Sequence, residues 1–223
     1  MIKAVIFDMF ETLITHYRTP LYFSKEMAKD MNLAIEVFQP LWRESEQERT
    51  LGNKTLKEVL EEIGKQHHID LENVERVIQK RIKSKEECFK TMHEEIIPLF
   101  KKLKQQGIKI GLISNCFDEE AMVIRKSILF PYFDKICLSC EEHVAKPDKE
   151  IFHRCVEALD VAYHECMYIG DGGSFELETA QSLGMKTYQA TWYFNEKNQH
   201  IWQRKRVFQE LASPLQLLEE LER

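Results

Sequence analysis

A chain of 223 residues, 43% hydrophobic and 30% charged, can bury a core without disulfides or a structural metal, as one large domain or as a core with a smaller insertion. Its formal net charge of −6 argues against a nucleic-acid partner, because binding a phosphate backbone needs a basic face. No stretch approaches the roughly 20 apolar residues of a membrane span, so no membrane partner is expected either.

In chain order, Ala4-Val5-Ile6-Phe7 is the first apolar run, preceded by Met1-Ile2-Lys3. It lacks the long apolar region and small-residue cleavage site of a signal peptide and reads as a buried first strand. From about His16 to about Met92 the sequence is rich in Glu, Lys, Gln, Leu and Met, with no convincing strand. Segments such as Leu56-Lys57-Glu58-Val59-Leu60-Glu61-Glu62-Ile63 place apolar residues at helical spacing, and Gly52 and Gly64 break the block. We read residues 16–92 as an all-helical insertion and residues 1–15 with 93–223 as the main body.

That body resumes with a helix through Leu103, closed by Gly107, and a second strand at Ile108–Ile113. Further strands are expected at Lys135–Leu138, Met167–Ile169 and Thr187–Ala190, with a helix over Glu176–Leu183 ending at Gly184. Arg204-Lys205-Arg206 is a short basic cluster that reads as a solvated helix face, and Ser213-Pro214-Leu215-Gln216 combines a cap, a first-turn proline and a capping-box glutamine. The alternation predicts an α/β fold with a parallel sheet. Six cysteines are scattered at 88, 116, 137, 140, 155 and 166, and reduced thiols in a cytoplasmic protein are the expectation. Cys137 and Cys140 form a CxxC with His143 nearby, but zinc would need a fourth ligand that the sequence does not clearly offer.

The informative residues follow the strands. Asp8 follows the first, in Phe7-Asp8-Met9-Phe10-Glu11-Thr12-Leu13, and Ser114-Asn115 follows the second. A loop after the third reaches Lys146-Pro147-Asp148, and Gly170-Asp171-Gly172-Gly173-Ser174-Phe175-Glu176 follows the fourth. Ligands of parallel α/β sheets bind at the carboxyl ends of strands, so these sets can converge on one crevice. Their types suit phosphoryl transfer: a carboxylate can take a phosphoryl group and divide one hard step into two. Asp8 and Asp171 would repel unless a cation such as Mg²⁺ sat between them, while Lys146, the Ser114 hydroxyl and backbone N–H groups near Ser114 and Asn115 would hold phosphate oxygens.

In this order the four segments resemble motifs I to IV of the haloacid dehalogenase superfamily of hydrolases, whose members with an insertion after motif I carry a mobile helical cap on a Rossmann-like core. The resemblance implies that Asp8 is a nucleophile and metal ligand. The Phe10 backbone carbonyl and Asp171 would complete a Mg²⁺ site, with Glu176 in an outer acidic position where the family more often has Asp. Ser114 and Lys146 would bind the transferred group, and Thr12 would support the nucleophile loop. The implied substrate is a small phosphorylated or otherwise anionic molecule.

One residue departs from the pattern. Phosphatases of the family place an aspartate two positions after the nucleophile, as general acid and then base, and here that position is Phe10. Such catalysis is typically worth about 10²–10⁴-fold. Three alternatives stay open: a phosphohydrolase limited to good leaving groups or using another base such as Glu11; a 2-haloacid dehalogenase-like or phosphonatase-like enzyme, the latter with a cap lysine that the sequence does not single out; and a protein that binds a phosphorylated ligand with little turnover. Within the insertion, His16, Tyr17 and Arg18 at its entry and Arg49 near Gly52 are candidates for substrate contact, Arg49 because a guanidinium suits an anion. Trp42 and the run Trp192-Tyr193-Phe194 read as packing residues, the latter also placed to line the rim of the site.

Overall fold

The computed structural model describes residues 1–194 and 204–222. Every strand pair is parallel, in a six-stranded sheet ordered β3-β2-β1-β4-β5-β6. The strands are β1 (Ala4–Phe7), β2 (Lys109–Ser114), β3 (Lys135–Leu138), β4 (Cys166–Gly170), β5 (Lys186–Ala190) and β6 (Gln209–Leu211). Between β1 and β2 come α1 (Ser24–Asp30), α2 (Ile35–Glu44), α3 (Glu46–Thr50), α4 (Leu56–Gln66), α5 (Leu71–Lys90) and α6 (Ile96–Gln105). The later helices are α7 (Asp118–Lys126), α8 (Ser139–Glu142), α9 (Lys149–Ala158), α10 (Glu176–Ser182) and α11 (Gln216–Leu221). The result is an α/β Rossmann-like core.

A parallel sheet needs cover on both faces, and strand alternation supplies two apolar faces here. Val5 and Phe7 of β1 join Leu99, Phe100 and Leu103 of α6 in one cluster. Ala4 and Ile6 face the other way, onto Ile151, Phe152 and Cys155 of α9 and Leu177 of α10. The CxxC sulfurs are separated: Cys137, on β3, belongs to the second cluster and Cys140, on α8, to the first.

Helices α1, α2, α4 and α5 build a third cluster from Met27, Phe38, Leu60, Val77 and their neighbours. Thr55 and Glu58 cap α4 reciprocally, as their spacing favours. Along α5 the buried stripe runs Val74, Val77, Ile78, Arg81, Lys85, Cys88, so two cations occupy apolar phases of the helix.

Two sequence expectations need correction. β6 lies outside the expected strands, because Gln209-Glu210-Leu211 is a short, mostly polar edge strand that pairs with Tyr188–Ala190. Arg204-Lys205-Arg206 is not helical; Arg204 pairs with Glu210 and the Lys205 ammonium lies 2.6 Å from Glu178 Oε1. The last helix starts at Gln216, whose side chain accepts from the Ser213 N–H as the capping motif requires. Among the described residues, no helix is long and apolar enough to cross a membrane.

Candidate active site

All strands run the same way, so Asp8, Ser114-Asn115 and Asp171 emerge at one edge of the sheet, where the loop after α8 brings Lys146. Asp8 is almost wholly buried; its Oδ1 accepts from the Met9 N–H and lies 2.7 Å from the Lys146 ammonium. Burial raises the Asp8 carboxyl to about 6; Lys146 pulls it down and Glu176 pushes it up. Burial opposes the charge on Lys146, but Asp8, Glu176 and Asp171 outweigh it and raise the lysine pKa.

Lys146 is fixed by its main chain. The Asn115 amide donates to the Lys146 carbonyl and accepts from the Lys146 N–H, both at 2.8 Å. In this structure Asn115 thus holds the lysine loop. Ser114 is fully buried at the end of β2, its hydroxyl 3.5 Å from the Asn115 carbonyl.

Carboxylate oxygens of Asp8, Asp171 and Glu176 lie within 4.8 Å of one another. Burial, then Glu176 and Asp8, raise the Asp171 carboxyl well above its ordinary range. A divalent cation would relieve this repulsion, and an all-oxygen donor set suits Mg²⁺. Glu176 also ties down the acidic loop, because its two oxygens accept from the N–H groups of Gly172 and Ser174, each at 2.6 Å. Gly172 has φ +96°, which only glycine adopts without strain.

The turn after Asp8 is held from several sides. Leu13 and Ile14 donate to the Met9 carbonyl, and the indole of Trp192 donates to the Thr12 carbonyl at 2.8 Å. The Tyr193 hydroxyl donates to the Leu13 carbonyl and accepts from the His93 N–H. Trp192 and Tyr193 therefore pack beneath the turn that follows Asp8. The Thr12 hydroxyl is buried with no hydrogen-bond partner. Phe10 is half-buried and stacks on His16 with ring centroids 5.0 Å apart.

Glu11 is not positioned as a free base. Its carboxylate accepts from the Thr15 hydroxyl, the His16 N–H and the His16 ring. From there a buried network crosses to the insertion. Lys85 lies 2.7 Å from His16 Nε2 and 2.8 Å from Glu120, and Arg81 bridges Glu119 and Glu120. Burial opposes ionisation of Glu120, but Lys85 and Arg81 hold it down at about 2. Burial and its neighbour Glu120 push Glu119 up to about 7, against the pull of Arg81.

The raised Glu119 pKa carries a pH signature. A carboxyl whose folded value exceeds its unfolded value favours the native state below the unfolded value, and that contribution is lost as pH rises toward 7. Glu119→Gln should therefore melt above the wild type at pH 8, by the equivalent of about 1–3 kcal/mol, with the gap closing below pH ~4.5. Melting curves across that range check it; a gap independent of pH would show that Glu119 does not titrate there.

The other candidates in the insertion divide. Tyr17 is half-buried, and burial, then Glu11 and Asp171, raise its hydroxyl pKa. Arg18 is exposed, donates to the Thr91 carbonyl and lies over the Tyr193 ring. Arg49, the expected anion contact, is enclosed: its guanidinium is sandwiched between Trp42 and Phe117 at 3.5 and 4.0 Å. It donates to Ser45 Oγ and the Trp42 carbonyl, leaving Nη1 buried and unpartnered.

Sequence reasoning missed Lys85, Arg81, Glu119 and Glu120. The available signal was phase: Arg81 and Lys85 sit in register with the apolar stripe of α5. Glu119 and Glu120 gave none, because acids in a first helical turn ordinarily complement the helix dipole in solvent.

Residues 2–184 match the family described as haloacid dehalogenase-like hydrolase, and the chain belongs to that family of enzymes. A glyceraldehyde 3-phosphate phosphatase of Methanopyrus kandleri is 26% identical over 84% of this chain and 83% of its own length. Among solved structures, a haloacid dehalogenase-type phosphatase from Thermococcus onnurineus superposes with a TM-score of 0.68 at 20% identity, covering 99% of this chain and 98% of that one. A 2-haloacid dehalogenase from Pseudomonas syringae pv. tomato gives 0.70 at 19% identity, covering 100% and 99%. These two structural likenesses show the shared fold and do not separate the two chemistries.

Proposed function

We propose that this protein is a Mg²⁺-dependent phosphohydrolase acting on small phosphorylated metabolites, with Asp8 as covalent nucleophile and the helical insertion, residues 16–92, as a cap over the site. The observation that carries the reading is the Asp8–Asp171–Glu176 carboxylate cluster beside the buried Lys146 ammonium, which provides for a cation and an anionic phosphoryl group together. The likeness to glyceraldehyde 3-phosphate phosphatase over most of both chains supports phosphate monoesters as the substrate class.

Asp8 and Asp171, with the Phe10 carbonyl, would hold the metal, and Glu176 would keep the Asp171 loop in place. Bound Mg²⁺ would offset the charge of the carboxylates and of the phosphoryl oxygens. An Asp8 carboxylate oxygen attacks phosphorus, the bond from phosphorus to the leaving oxygen breaks, and an aspartyl phosphate forms. Water then cleaves it, releasing inorganic phosphate and regenerating Asp8. Lys146 and Ser114 hold the phosphoryl oxygens through both steps, and the buried Thr12 hydroxyl offers another donor.

Phe10 supplies no proton to the leaving group, and Glu11 is held by Thr15 and His16. Turnover should favour leaving groups that depart without protonation. The phosphonatase alternative asks for a free amine in the insertion; Lys85 is the buried lysine there, and Glu120 and His16 hold its ammonium.

The test is phosphate release from acetyl phosphate and from glyceraldehyde 3-phosphate, with Mg²⁺ or with a chelator, using Asp8→Asn as the blank. Release that needs both Mg²⁺ and Asp8, faster from acetyl phosphate, is the expected result. No release from either substrate would overturn the reading. Phe10→Asp should then raise turnover of glyceraldehyde 3-phosphate at least about tenfold while changing acetyl phosphate less. An equal change for both would mean that protonation of the leaving group is not what Phe10 removes.

A further inference from the structure

We propose that Lys85 is a positioning residue for the nucleophile turn, holding His16, through it Glu11, and hence the turn that presents Asp8 and Phe10. The proposal rests on the phosphohydrolase reading only for its kinetic consequences.

Lys85 lies 2.8 Å from Glu120 Oε1 and 2.7 Å from His16 Nε2. A carboxylate accepts only and an ammonium donates only, so Lys85 donates to both. Nε2 is then the unprotonated ring nitrogen, and the single ring proton sits on Nδ1, 3.1 Å from Glu11 Oε1. With the main-chain N–H of His16 at 3.0 Å and the Thr15 hydroxyl, the ring completes a set of donors that closes on Glu11.

Glu11 needs such a set. Its φ of +59° places a β-carbon where L-residues are strained. Its carboxylate is also buried within the turn between Asp8 and the start of the insertion. Without the imidazole proton the turn loses a donor that its sequence neighbours do not replace. The ring also stacks on Phe10, so its orientation bears on the residue that stands where the family's acid–base aspartate would be.

The placement of Lys85 is hard to explain as simple surface pairing. It is 3% exposed, and its ammonium lies 5.7 and 5.2 Å from the ring centroids of Phe10 and Phe23. Burying a lysine is costly unless its donors are satisfied, and an ion pair with Glu120 alone would not require an imidazole at hydrogen-bond distance. Three elements meet at this ammonium: α5 of the insertion, the turn after β1, and the first turn of α7. Seating the insertion and setting the turn are thereby one event.

Lys85→Met keeps an unbranched side chain one atom shorter and removes the charge. Hydrogen exchange should show the amides of Leu13, Ile14 and His16 exchanging at least about tenfold faster in the variant, with those of β2 and β4 unchanged. With acetyl phosphate, kcat should fall about tenfold or more while KM stays within about threefold, as expected when a reacting group is misplaced and substrate contact is kept. His16→Gln, which leaves the Lys85–Glu120 pair intact, should reproduce the faster exchange and covers the case in which Lys85→Met fails to fold. Faster exchange confined to α5 and α7, with the turn unaffected, would overturn the proposal and leave Lys85 a structural ion pair. A rise in KM with kcat unchanged would also overturn it, making Lys85 a substrate contact. If the wild type releases no phosphate, the phosphohydrolase reading fails, and the exchange measurement still decides the role of Lys85.

Discussion

Asp8→Asn should lower Mg²⁺-dependent phosphate release by at least about 10⁴-fold, because the amide has no charged oxygen to attack phosphorus and no neighbour is placed to replace it. The effect should not come from misfolding. The amide oxygen left by Asp8→Asn can still accept from the Met9 N–H and from Lys146, the two contacts that orient the side chain. Removing the charge gives up the attraction of Lys146, but it also removes the larger cost of burying a carboxylate, the main cause of the raised Asp8 pKa, and the repulsion from Glu176. In chelator the variant should therefore melt no lower than the wild type. Rate and melting temperature measured on the same preparation separate the cases. A residual rate within tenfold of the wild type would remove Asp8 from the nucleophile role, and loss of rate together with a large fall in melting temperature would mean the residue is needed to fold.

Gly52→Ala should cost about 2–4 kcal/mol of stability, and Gly107→Ala only about 1 kcal/mol. Both glycines have φ +72°, so both substitutions carry the same left-handed backbone penalty. They differ in surroundings. A β-carbon on Gly107 meets nothing within 4 Å, whereas one on Gly52 would overlap the Cys140 carbonyl oxygen and lie 2.8 Å from the carbonyl carbon. That partner is backbone at the start of α8 and has little room to yield. Next to it, the His143 ring donates from Nδ1 to the Leu51 carbonyl at 2.7 Å. Lifting Gly52 would break this contact and strain the seat of α3 on the core. For a chain of this size each kcal/mol moves the melting temperature by about 2–4 °C, so the pair of variants should differ visibly in a thermal scan. Equal shifts would show that the insertion does not need close approach at Gly52.

β1 is legible in the sequence because Ala4–Phe7 is apolar on both faces. β6 escapes because an edge strand with one buried residue, Leu211, leaves almost no pattern. Asp8, Lys146 and Asp171 can be anticipated because each follows a recognisable strand, and the parallel fold then brings them together. The clamp of Asn115 on the Lys146 main chain cannot, since a side-chain amide carries no mark of which backbone it will hold. Arg49 reads as a ligand for an anion because charge is visible in a sequence, while the two rings that enclose it come from α2 and from the loop before α7. The Lys85 network is hidden for a related reason: its members are spread from Glu11 to Glu120, and only the seating of α5 unites them.

The place of β1 in the middle of the sheet also sets an order on assembly. Its first residue, Ala4, pairs with Lys109 on one side and Cys166 on the other, so neither neighbour exists until long after β1 has left the ribosome. The helices α1, α2, α4 and α5 pack mainly on one another and can condense while they wait, since short-range contacts close first. The strand bearing Asp8 gains its second partner only once most of the chain has been made. Nascent chains that stop before β4 would carry a formed helical insertion and an unfinished sheet, and activity in such an enzyme reports on completion of the whole sheet.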